Sequence, residues 1–73
     1  MQTTERPLEL LVSHALSESP YLTRRKLRFE ASEGRVVLRG TVGSYFQKQM
    51  AQEALRRVEG VDEILNHLEV AWA

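Results

Sequence analysis

The sequence predicts an α+β fold: an α-β-β-α-β sandwich with two helices packed on one face of a three-stranded mixed sheet. Three observations predict it. Two stretches space their apolar residues at helical intervals, three others alternate with period two, and glycines fall between them. Residues 34–61, GRVVLRGTVGSYFQKQMAQEALRRVEGV, carry most of this pattern as a strand, a turn, an amphipathic helix and a glycine stop.

The first helix is expected over about residues 5–18. Thr3 or Thr4 can cap it, Glu5 suits the positive end of its dipole, and Pro7 is tolerated in a first turn. Leu8, Leu11, Val12, Ala15 and Leu16 make one apolar face. Ser19 precedes Pro20 and is pushed away from α geometry, which ends the helix. A strand follows over about 26–32, with Leu27, Phe29 and Ala31 alternating against Arg28, Glu30 and Ser32. Glu33-Gly34 suits a tight turn in which Gly34 takes positive φ.

The second strand, about 35–42, points Val36, Leu38, Gly40 and Val42 to one face and Val37, Arg39 and Thr41 to the other. A glycine inside a strand, here Gly40, suggests that another backbone or a helix passes close to it. Gly43 ends the strand. Ser44 and Gln47 form a capping-box pattern that opens a helix over about 45–59. Its expected apolar stripe is Phe46, Met50, Ala51, Ala54, Leu55 and Val58, and Gly60 is placed as a left-handed C-cap. The last strand, about 63–71, has Ile64, Asn66, Leu68, Val70 and, just beyond it, Trp72 on one face and Leu65, His67, Glu69 and Ala71 on the other. A strand-helix-strand crossover is right-handed. The sheet is mixed if the last strand lies beside the second and antiparallel if it lies beside the first; the mixed form is favoured.

Composition limits the function. The 73 residues fit a single domain, 1–73, and a chain this short buries only about 60% of its unfolded surface. With no cysteine, neither a disulfide nor a thiolate metal site supplements the core. Ten basic residues balance ten acidic ones, so the excess expected of a dedicated nucleic-acid binder is absent and nucleic acid is disfavoured as a partner. The sequence as given reads as neither a secretory signal nor a membrane span, and a cytoplasmic location is the expectation. His14 and His67 lie on different elements without paired spacing, so neither a metal nor a cofactor is expected. No nucleophile set, carboxylate pair or cofactor fingerprint suggests an enzyme.

Read together, the residues resemble the BON domain, the family named for bacterial osmotically inducible and nodulation proteins. The resemblance rests on Gly34, Val36, Leu38, Gly40 and Val42, then Ala51, Ala54 and Val58, then Gly60, Val61, Ile64, Asn66, Leu68 and Val70. Ala15-Leu16 and Ser19-Pro20 fit the family's first helix and its exit. The resemblance implies a non-enzymatic module that binds phospholipid or docks cell-envelope partners, in a family often periplasmic or envelope-associated.

Two surfaces are candidates for contact. Arg24, Arg25, Lys26 and Arg28 form a basic cluster that could attract phospholipid headgroups or other anions, or simply pair with Glu30 and Glu33. On the outer sheet face, Val37 and Leu65 with Arg39 and His67 make a small apolar centre ringed by charge, suited to a protein partner or a homodimer. Structural work is expected of Gly34, Gly40, Gly43, Gly60 and Asn66. Asn66 is expected to bracket the backbone near Gly40 or the Gly60 turn, because a buried amide needs partners.

Overall fold

In the computed structural model, which describes residues 7–22 and 27–71, the elements follow as α1 (Leu8–Ser17), β1 (Leu27–Ser32), β2 (Arg35–Val42), α2 (Tyr45–Arg56) and β3 (Glu63–Val70). The sheet order is β1-β2-β3. β1 and β2 are antiparallel, β2 and β3 are parallel, and α2 is the crossover between them. The sheet is therefore mixed, as the favoured reading of the sequence has it.

Local chemistry explains most boundaries. The hairpin turn has φ 50° at Glu33 and φ 85° at Gly34. Two positive φ values in a two-residue loop match the twist of the strands on either side. The Gly34 carbonyl then accepts the N–H groups of Asp62 and Glu63 at 2.7 and 3.1 Å, which fastens the start of β3 to this turn. Gly40 lies at φ 129°, a region that excludes most side-chain-bearing residues. Its own backbone conformation accounts for glycine there.

Three details differ from the sequence reading. Helix α1 opens at Leu8 because Pro7 holds a non-helical ψ of 144° and serves as N-cap, its carbonyl accepting from Leu10 and Leu11. Thr3, Thr4 and Trp72 lie outside the described residues. Helix α2 stops at Arg56, so Gly60 is not its cap. Gly60, at φ 100°, sits in a separate turn closed by the Val61 N–H donating to the Val58 carbonyl at 3.2 Å. Phe46 is not in the buried stripe: it is 51% exposed.

The core lies between the helices and one face of the sheet. Val12, Leu16, Val36, Leu38, Val42, Ala51, Leu55 and Leu68 are between 0% and 8% exposed. Leu8, Ala15, Phe29, Ala54 and Ile64 pack partly buried around them. Strand alternation does the sorting, since each core residue of β2 and β3 is flanked by neighbours that point the other way.

Candidate functional site

The face of the sheet away from the helices is built of cross-strand rows. Register places Glu30, Val37 and Leu65 in one row and Arg28, Arg39 and His67 in the next. Arg35 and Glu63 stand opposite one another nearer the hairpin turn and form an ion pair at 3.1 Å. Thr41 and Glu69 make the row at the far end. Val37, Arg39, Leu65 and His67, the four residues read from the sequence as a partner surface, are thus contiguous. Val37 and Leu65 are half-buried side by side; Arg39 and His67 are exposed.

Arg28, assigned in the sequence to the basic cluster, is an outward residue of β1 directly opposite Arg39. Arg24, Arg25 and Lys26 lie outside the described residues. The two candidate surfaces therefore meet at Arg28.

Asn66 is bound to α2. Its amide Nδ2 donates to the Lys48 carbonyl at 2.9 Å and to Gln52 Oε1 at 3.2 Å, while its Oδ1 accepts the Leu68 N–H at 3.2 Å. The bracket expected near Gly40 or Gly60 goes instead to the helix above, because Asn66 faces the helices and opposes Leu38. Gly43 donates its N–H to Gln47 Oε1 at 2.6 Å, and the Gln47 N–H donates to Ser44 Oγ at 3.1 Å. This capping arrangement reaches one residue further back than the usual box. Gln47 Nε2 also donates to the Tyr21 carbonyl at 2.9 Å, binding the segment after α1 to the start of α2.

That link creates a feature absent from the sequence reading. Tyr21 and Phe46 meet edge to face with ring centroids 5.0 Å apart, yet they remain 48% and 51% exposed. Tyr45 is 66% exposed on the same helix end. The signal for Phe46 was in the helical wheel. At about 100° per residue it stands roughly 140° from Ala51 and about 180° from Leu55, away from the buried side. For Tyr21 no local signal existed.

His14 is paired along α1 with Glu18 at 3.3 Å, both exposed, and is remote from His67 on β3. Among the described residues no group of three or more His, Cys, Asp or Glu side chains is placed to hold a metal ion. The cleft between α1 and α2 has Ala15 and Ala54 as apolar lining and Glu18, Glu53 and Arg57 among its walls. No described helix is long and apolar enough to cross a membrane.

Two helices on one side of a three-stranded mixed sheet, with an open and charged opposite face, define a small two-layer α+β module. The family model described as the BON domain matches residues 4–71, nearly the whole chain, and the chain belongs to that family. BON domains are in general non-enzymatic. No curated protein matches the chain.

Proposed function

We propose that this BON domain is a non-enzymatic binding module that docks on anionic phospholipid surfaces through the aromatic edge at Tyr21 and Phe46. The observation that carries the reading is an exposed aromatic pair, one ring of which, Tyr21, lies just upstream in the chain of Arg24-Arg25-Lys26. Aromatic rings favour the interfacial zone of a bilayer, and each nearby basic residue adds about 1 kcal/mol on an anionic surface. Three basic residues and two rings amount to weak, reversible binding that salt screens.

Flotation with phosphatidylglycerol-containing vesicles tests it. Binding should fall about tenfold when Tyr21 and Phe46 are both changed to alanine, and similarly when Arg24, Arg25 and Lys26 are, with the circular dichroism spectrum unchanged. Equal binding to zwitterionic vesicles, or none to anionic ones, would sink the proposal.

A second reading, assembly through the open sheet face, is favoured by the adjacency of Val37 and Leu65. Three strands of at most eight residues cover roughly 380 Å², about half the 800 Å² per partner of a standard interface. A second copy bound only there would associate weakly, and sedimentation at high concentration measures it.

A further inference from the structure

The row formed by Arg28, Arg39 and His67 breaks a rule that the rest of the face obeys. Like charges directly opposite on neighbouring strands destabilise a sheet, and Arg28 stands opposite Arg39. His67 extends the row on the third strand. At about 4.8 Å between strands, all three side chains rise from a span of roughly 10 Å. Near the hairpin the same face matches its charges, with Arg35 joined to Glu63. The ion pairs Arg35–Glu63 and Arg56–Glu53 and the His14–Glu18 contact, which are those found among the described residues, do not engage the row. All three side chains are exposed and contribute nothing to the core. A local rule broken without structural return is where function is expected.

We infer that the Arg28–Arg39–His67 row is a binding site for a small soluble oxyanion of the phosphate or sulfate class. Two guanidinium forks suit the edges of a tetrahedral oxyanion, and the imidazole adds an N–H donor and, when protonated, a third positive charge. The surroundings select the size of the ligand. Glu30 and Glu69 stand diagonally from Arg39 at opposite corners, about 7–8 Å away backbone to backbone, and Glu63 shares the face. A broad anionic surface laid on this face meets Glu30, Glu63 and Glu69 as well as Arg28, Arg35 and Arg39, and gains little. A small anion centred on the row meets the Arg28 and Arg39 guanidinium groups and the His67 ring. The site thus differs in its ligand from the aromatic edge proposed for membranes.

The experiment is an NMR titration of the whole chain with sodium sulfate, whose charge is constant across the working pH range, against sodium chloride at matched ionic strength. Sulfate should produce saturable shifts at the His67 ring and at the Arg28 and Arg39 side chains that chloride does not reproduce. Arg28→Gln and Arg39→Gln should each weaken binding about tenfold, and Arg35→Gln should leave it unchanged. Shifts that chloride reproduces, shifts centred elsewhere, or an Arg39→Gln variant that binds as well as the wild type would overturn the site. Flotation of Arg39→Gln separates the two proposals: it should float as the wild type does, and loss of flotation would mean that the row is a membrane contact instead.

Discussion

The two faces of one sheet are made by the same three strands and differ in nearly every respect. On the covered face, Val36, Leu38, Val42 and Leu68 are at most 8% exposed and Asn66 is held by three hydrogen bonds to α2 and its own strand. On the open face, Arg28, Glu30, Arg39, His67 and Glu69 are exposed, and Val37, Thr41 and Leu65 are half-buried. Alternation assigns stability and contact to separate residues within each strand. The open face is therefore free to carry charge arrangements that the fold itself does not need. The price of the like-charged row is small because water screens it.

That separation can be broken or sharpened by substitution. The largest effect is expected from Leu38→Ala, which opens a cavity at the centre of the covered face and should cost about 2–5 kcal/mol in urea unfolding. For a domain this small that is a large part of its total stability. Next is Gly34→Ala, at about 1–3 kcal/mol, because φ 85° is strained for a residue with a side chain and the new Cβ would meet Asp62 Oδ2 at 2.5 Å. Adding Asp62→Ala should restore only part of the loss; full restoration would assign the cost to contact and not to backbone.

Asn66→Ala should cost about 1 kcal/mol, since the Leu68 N–H loses its side-chain acceptor. The smallest change should have the opposite sign. Arg39→Glu on the open face should raise stability by about 0.2–1 kcal/mol by replacing the Arg28 repulsion with attraction, and added salt should shrink the gain. A loss of stability on that substitution would mean that the row supports the fold.

Much of this was legible before any coordinates. The order of elements follows from periodicities confined to single segments, and the Glu33-Gly34 turn alone fixes that Arg28 opposes Arg39. His67 could not be added to the row from sequence, because its partner depends on the parallel register across a helical crossover. The aromatic edge was half legible: the wheel angle of Phe46 exposes it, whereas Tyr21 is positioned by the bond from Gln47, a contact between segments 26 residues apart. Gly60 was read correctly as a positive-φ position and wrongly as a helix cap, since nothing in the repeating pattern shows that the last turn unwinds after Arg56.

The Gly34 carbonyl that accepts Asp62 and Glu63 has a consequence for how the chain finds its fold. Parallel pairing of β2 with β3 joins residues far apart in the chain, so it forms late and is open to error. A slip of one residue would send Ile64, Asn66 and Leu68 to water and bring Leu65, His67 and Glu69 under the helices. The hairpin forms from neighbouring residues and can be in place first. Once it exists, its turn offers a single acceptor from which the third strand starts counting.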